Sequence, residues 1–304
     1  MRPIVLEAYP ITLLTIIGTY AIAAIGLNLT MGSAGQVNLG QAAFIGIGAF
    51  TSAILTTEYS MPFVVSLLVS GLMAMIGGTI LGLISVRLRE DFLAITTIGI
   101  NFVAVSVFQY YPLFGGSFGI GDIPRPSFFG FELSGPSYAG LVYVVLSLCI
   151  LGALWTRRSW LGLAFKAIKE DEIAALSMRI DVRKFKMIAF AIGAGYGGLA
   201  GCLLAHFRTY IVYSDFTFSF SIELLTIVVL GGLGSIAGTT MGTAIVVLFP
   251  EVIRPLLQYR LVIYILMLIV LLRFQPEGLL GEKSALSRYL HSIVVRLYRR
   301  EGAH

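Results

Sequence analysis

Four neutral carboxamides stand close together early in the chain: Asn28, Gln36, Asn38 and Gln41. They bracket Gly32-Ser33-Ala34-Gly35, and Gly40 follows. Glycine inside a helix costs about 1 kcal/mol relative to alanine, so helix should weaken there. In an apolar setting a broken helix exposes backbone groups to a cavity or a substrate. Asn28, Ser33, Gly35, Gln36, Asn38, Gly40 and Gln41 are therefore the candidate substrate pathway. The chemistry on offer is hydrogen bonding without charge. Proton- or sodium-coupled carriers place ionisable groups at mid-membrane depth. Here Glu223, His206 and Arg208 lie near the ends of apolar runs, and the deeper positions hold neutral groups such as Asn101 and Gln109. A secondary carrier fits worst. A plainer reading stands beside the pathway for most of these amides, as hydrogen-bond partners between helices.

Two glycine runs look superficially like phosphate-binding loops, GGSFGIG at 115–121 and GGLGSIAG at 231–238. Neither follows a soluble strand or opens a βαβ unit, and no lysine follows glycine in a Walker A arrangement. This chain is not expected to bind or hydrolyse ATP, and no catalytic residue or metal site is assigned. Cys149 and Cys202 fall inside apolar runs and read as packing residues, with neither a disulfide nor a metal site indicated.

The elements that position these residues follow from hydropathy. Hydrophobic residues are 57% of the chain and charged residues 12%, against about 25% charged in a soluble domain. No charge occurs between Glu7 and Glu58, Glu58 and Arg87, or Asp91 and Asp122. A span needs about 20 mainly apolar residues. Runs at 11–31, 39–57, 62–86, 92–111, 139–155, 187–207, 221–250 (interrupted) and 257–273 meet or approach that length. Lipid requires each backbone amide to find an internal partner, so these must be helices; the ten-residue alternation of a barrel is absent. The expectation is an all-α polytopic integral membrane protein of about 8–9 transmembrane helices, some broken or short. Ala21-Ile22-Ala23 resembles a signal-peptide cleavage site, but Arg2 is offset by Glu7 and the apolar run is long, so 11–31 reads as a retained span.

Charge sets the sidedness. Arg157 to Lys186 holds eight basic and four acidic residues, whereas 112–138 has only Arg125 against Asp122 and Glu132. The positive-inside rule puts 157–186, Arg87 and Arg89 in the cytoplasm, with the basic tail at 282–304, and puts 112–138 outside. The net charge of +5 thus reflects membrane sidedness, not nucleic-acid binding. Parity then requires 221–250 to cross twice or fold back, with its break at Gly231–Ser235.

Glycines recur every fourth residue at Gly193, Gly197 and Gly201, and again at Gly234, Gly238 and Gly242. Such stripes let helices pack closely; whether they also slide or gate is left open. Within the charged loop, Leu161, Phe165 and Ile168 share a helical face. Glu170-Asp171-Glu172 precedes Ala174, Ala175 and Leu176, and Arg179, Arg183 and Lys184 follow. Acids before and bases after suit a helix dipole over 171–179, with Asp171 as N-cap. That helix is either a solvated surface helix or a docking helix.

Five stretches are similar to one family: GLNLTMGSAGQVNLGQAAFIGIGAF (26–50), GGSFGIGDIPRP (115–126), AIKEDEIAALSMRIDVRKFKMIAF (167–190), GGLGSIAGTTMG (231–242) and FQPEGLLG (274–281). In this order they resemble the permease subunits of branched-chain amino acid ABC transporters, the M-type of the two paired permeases. The resemblance implies a permease domain over 1–281 with a coupling loop at 157–186, in a bacterial inner membrane. It implies a second permease subunit, two cytoplasmic ATPases that use the ATP, an extracytoplasmic binding protein, and no cofactor on this chain. It makes Glu172, Ala174, Ala175 and Arg179 the candidate ATPase-coupling residues, since the family inserts this helix into a cleft on the ATPase. One departure is Arg179, where the family usually has glycine; it would extend the helix or pair with an acidic ATPase surface. Permeases for amides or urea, a stand-alone channel, and a scaffold without a pathway are the competing readings.

Overall fold

The computed structural model describes residues 3–85, 88, 90–128, 131–252, 260–274 and 278. Arg87, Arg89 and the tail at 282–304, which entered the charge argument, lie outside them, as does most of 274–281.

Helix α1 (Pro3–Asn28) continues into one π turn, Leu29–Ser33. After a non-helical segment come α2 (Gln41–Thr57), α3 (Phe63–Ser85), α4 (Glu90–Tyr110) and α5 (Pro136–Arg158). Two short helices, α6 (Trp160–Glu170) and α7 (Glu172–Ser177), occupy the charged loop. Then follow α8 (Val182–Arg208), α9 (Phe218–Gly231), α10 (Ile236–Val252) and α11 (Arg260–Phe274). Six helical stretches among the described residues are long and apolar enough to cross a membrane, and Gln41–Thr57, Ile236–Phe249 and Leu261–Val270 are shorter apolar helices. The protein is an all-α polytopic membrane protein. Its only described strands are the two-residue pair β1 (Ser127–Phe128) and β2 (Phe131–Glu132), in the connection after α4.

Helix α8 is the centre. Its glycines decide how closely its neighbours approach. A Cβ at Gly193 would overlap Thr30, one at Gly201 would overlap the Ile45 carbonyl, and one at Gly197 would lie 3.1 Å from the Gln41 amide. That face therefore seats α1 and α2. A second face, at Gly195 and Gly198, seats α3, with Gly198 against the Ser70 carbonyl and Ala74. Without a hydrophobic drive between helices in lipid, close van der Waals packing of small residues holds such a body together. Large apolar side chains point outward instead: Leu68, Leu72, Ile76 and Ile80 on α3, and Phe92, Ile95, Phe102 and Val103 on α4 are exposed. Exposed aromatics mark both ends of this apolar surface, Trp155 and Trp160 where α5 meets α6, and Tyr59, Tyr110, Tyr111 and Tyr210 opposite. Such belts sit at membrane–water interfaces.

The second glycine stripe is not one stripe. Gly234 lies outside α10, in the turn after α9, with φ +86°. Gly238 instead backs onto Gly231, and Gly242 onto Ile227, so α9 and α10 fold back as a hairpin.

Ionisable and thiol groups near the far end of α8 are tied down. The Pro124 carbonyl can only accept, so His206 Nδ1 donates to it at 2.7 Å, and Ser52 Oγ lies 2.8 Å from Nε2. Cys202 Sγ is 3.0 Å from the same hydroxyl, and both cysteines are free and buried. Arg208 pairs with Asp215 at 2.7 Å.

Candidate functional site

The end of α1 with the non-helical chain that follows it, the non-helical turn between α9 and α10, and the α6–α7 loop meet at one place. The first interruption starts where the π turn runs out. Ala34 N–H donates to Leu29 O and Gln36 N–H to Thr30 O. Gly35 then takes φ +69°, a left-handed value that glycine adopts without penalty. The chain continues non-helically to Gly40. Gln41 Nε2 donates to the Gly193 carbonyl at 2.9 Å and lies 3.5 Å from that of Ala23. Ala23 is ten residues before Ser33, roughly 15 Å along the helix at 1.5 Å per residue. Helix α2 therefore starts part-way along α1, and 34–40 makes up the difference. Non-helical backbone at such depth is tolerated only where protein or a cavity satisfies it. Leu39 N–H donates to Thr97 Oγ1, Gly40 N–H to Asn38 Oδ1 and Ala42 N–H to Ser221 Oγ, each at 3.0 Å. Asn38 Nδ2 donates to Gln41 Oε1 at 3.0 Å.

The second interruption is Gly232–Ser235, with φ +108° at Gly232 and +86° at Gly234. Within the hairpin, Gly232 N–H donates to Val228 O, Ser235 N–H to Gly232 O and Thr239 Oγ1 to Ser235 O, and one side chain of the first helix bridges the turn. Asn28 Oδ1 accepts from Gly234 N–H at 2.7 Å, while Nδ2 donates to Ser235 O at 3.0 Å and to Thr239 Oγ1 at 2.6 Å. Asn28 is 3% exposed. Gly32 packs against the Gly234 backbone, leaving no room for a side chain.

These contacts correct the assignment of the amides. Asn28, Asn38 and Gln41 are buried and bonded within the chain, and Gln36 Nε2 donates to Ala34 O at 3.3 Å. A Cβ at Gly40 would strike the Thr97 carbonyl, so a larger residue there disrupts packing before it obstructs anything. Burial alternates along the segment: Ala34, Gln36, Asn38 and Gly40 are buried, while Ser33, Gly35, Val37 and Leu39 are partly exposed. The amide side faces the protein, and the partly open side carries Ser33, Gly35, Val37 and Leu39.

The loop also departs from expectation. It holds two helices, joined at Asp171, which ends α6 and caps α7 by accepting from Ile173 N–H and Ala174 N–H. Ala175 is 2% exposed, packed in a cluster with Ala34, Phe165, Ile168, Val182 and Phe185. It is part of the loop's own core and cannot serve as a docking surface. The apolar groups that α7 presents are Ile173, Leu176 and Met178, with Ala174 beside them. Glu172 meets Lys186 Nζ at 2.7 Å. Arg179 neither extends the helix nor replaces its end: it adopts φ +60°. Ile180 N–H donates to Ala175 O and Arg179 N–H to Leu176 O, the paired bonds of a Schellman end.

Sequence reasoning missed Lys169. From α6 its ammonium donates to the Gly32 carbonyl at 2.6 Å, 137 residues away. It missed Thr97, Ser221, Ser235 and Thr239 for the same reason, since no local spacing reports a partner on a distant helix. A cavity of about 380 Å³ at the far end of α1 and α8, lined by Thr12, Arg125 and His206 among others, belongs to neither interruption.

A sequence profile of the family described as the permease component of branched-chain amino acid transport systems matches residues 9–272. The chain is 33% identical to the high-affinity branched-chain amino acid transport system permease protein LivM of Escherichia coli K12, over 91% of this chain and 71% of that one. The probable LivM permease of Methanocaldococcus jannaschii is 24% identical over 88% and 91%. The high-affinity branched-chain amino acid transport system permease protein LivH of Salmonella typhimurium is 26% identical over 88% and 92%. No solved structure matches at a significant level. The profile match begins in α1 and ends in α11, so it spans both interruptions and the loop between them. The chain therefore belongs to the family of branched-chain amino acid transport system permease components, which are transporter subunits and not enzymes.

Proposed function

We propose that this chain is the membrane-spanning permease subunit of an ATP-binding-cassette importer for branched-chain aliphatic amino acids. The α6–α7 face, with its excess of Lys and Arg, is cytoplasmic, and so is the C-terminus. The membrane is the bacterial inner membrane, and residues 1–281 form the permease domain. A second permease completes the conduit, two ATPases bind at α7, and an extracytoplasmic binding protein delivers substrate. The chain itself uses no cofactor; ATP is consumed by the partners.

The observation that carries this reading is α7. It is short, capped at both ends by its own loop, and turns Ile173, Leu176 and Met178 outward from the one strongly charged segment. A surface helix with no partner would bury such residues or replace them with polar ones. A few apolar anchors rimmed by charges, here Glu172 and Arg179, suit insertion into a cleft, with the charges setting register more than affinity. The substrate path runs along the partly open side of 33–39. Val37 and Leu39 give that side an apolar surface matched to aliphatic side chains, while the amides behind it hold the backbone.

The test is reconstitution in proteoliposomes with the partner permease, the ATPases and the binding protein. ATP-driven uptake of leucine, isoleucine or valine supports the reading. Uptake of amides or urea in place of these would move the chain to a related importer. Transport by the isolated chain without ATPases would make it a channel and overturn the proposal.

A further inference from the structure

Lys169 reaches from the cytoplasmic loop to the π turn that ends the first helix through a polar bond. Its ammonium donates to Gly32 O at 2.6 Å, and its Cα, Cβ and Cγ lie 3.1–3.4 Å from where a Cβ on Gly35 would be. The last carbonyls of a helix have no intrahelical donor, and a cation there also meets the negative end of the helix dipole. Gly32 is in turn packed on the Gly234 backbone, which Asn28 holds. Lys169 thus touches the peptide at which both interruptions meet. It is carried by α6, which shares an apolar cluster with α7 through Phe165, Ile168 and Ala175. Ala34, between Gly32 and Gly35, belongs to the same cluster.

Resting on the importer reading above, we propose that Lys169 is a positioning residue that latches the coupling loop to the broken end of α1. Its stem crosses Gly35, which lies on the partly open side of the segment, so the latch also covers the cytoplasmic end of the proposed path. A movement of α7 imposed by the ATPases is transmitted through the shared cluster to α6. It then withdraws or re-seats the ammonium at Gly32 O and uncovers Gly35. Phe165 and Ile168 provide the stiffness of this connection, and Lys169 provides its directed polar contact.

The experiment uses the complete transporter in proteoliposomes, reading ATP hydrolysis and leucine uptake together. Lys169→Met keeps the stem and removes the donor; Lys169→Arg keeps a cationic donor. The expected result for Lys169→Met is unchanged ATPase co-purification, continued ATP hydrolysis, and uptake per ATP lowered roughly five- to tenfold, the lower range of coupling between sites. Lys169→Arg restores most of the ratio. A Lys169→Met complex with a wild-type ratio overturns the latch, and so does one that loses its ATPases, since Lys169 would then serve docking. If the wild-type complex itself shows no ATP-driven uptake, the importer reading fails, a result separable from failure of the latch.

Discussion

The two interruptions solve one physical problem in opposite ways. The segment at 34–40 is long and glycine-poor in its middle; with the first residues of α2 it is held piecemeal by Thr97, Ser221 and Gly193 and by the Asn38–Gln41 bond. The turn at Gly232–Ser235 is short and glycine-rich; its own hairpin closes it through Ser235 N–H to Gly232 O and Thr239 to Ser235 O, and Asn28 of the first helix adds three bonds, two to the turn and one to Thr239. The first has many supports, so no single one is decisive, and one side is left partly open. The second takes its support from the first helix through one side chain, Asn28, and the residue it exposes is Leu233. A distributed interruption can flex without losing its hydrogen bonds together, whereas a singly held one is in place or it is not. The first thus suits a surface along which something moves, and the second suits a fulcrum.

The largest effect should come from Asn28→Leu, which keeps the bulk and deletes the clasp. Hydrogen bonds between membrane helices average about 0.6 kcal/mol, because unfolded segments find other partners. The Gly234 N–H has no such alternative, and each buried group left unpaired costs roughly 1–3 kcal/mol. A loss of about 3 kcal/mol in denaturant unfolding of the detergent-solubilised chain is expected. A loss under about 1 kcal/mol would mean that the hairpin's own bonds hold the second interruption without Asn28.

Next are the paired substitutions Gly35→Ala and Gly234→Ala. Both force a left-handed backbone on a residue with a Cβ, at about 1–2 kcal/mol each. The Cβ at Gly234 meets only Gly32 O at 3.5 Å, and the one at Gly35 meets the flexible Lys169 stem. Similar destabilisation is expected from the two, with a larger drop in uptake from Gly35→Ala. Equal uptake would remove the functional distinction between the interruptions.

Gln36→Met should cost less than about 1 kcal/mol, because the bond it deletes is long, 3.3 Å, and local to Ala34. A cost as large as that of Asn28→Leu would show the first interruption to be singly held as well.

The smallest effect serves as a reference away from both sites. Arg179→Gly should stabilise the loop by up to about 1 kcal/mol, since glycine accepts φ +60° without strain. Hydrogen exchange at Ile180 and Arg179 should slow while exchange near Gly234 stays unchanged. Faster exchange at Ile180 would show that the arginine side chain holds the loop by contacts beyond its backbone.

The helices were legible because lipid leaves few options. Charge-free runs at 62–86 and 187–207 became Phe63–Ser85 and Val182–Arg208, and the break inside 221–250 fell at its glycines. Asp171 was legible as a cap because capping is local. Direction was not legible. The run Gly32–Gln41 reads the same whether its amides face a conduit or a neighbouring helix. The deciding partners, Thr97, Gly193 and Ser235, are remote in sequence and carry no spacing signal. Ala175 failed for a related reason: a small apolar residue suits a partner's cleft and the loop's own core equally. Only Phe165 and Val182, packed against it, show which was chosen. Gly234 was grouped with Gly238 and Gly242 by period alone, although the turn that breaks the period was itself foreseen.

The Asn28 clasp has a consequence in time. Its two ends are 206 residues apart, and synthesis at roughly 5–20 residues per second separates their appearance by about 10–40 s. Throughout that interval α1 already carries a carboxamide whose final partners do not exist. Water, lipid headgroups or a neighbouring carbonyl must hold it meanwhile. The hairpin of α9 and α10 emerges late, already shaped by its glycines, and its turn displaces that provisional partner. The clasp thus forms by an exchange of hydrogen bonds at one asparagine, in which two late helices are fastened to the first.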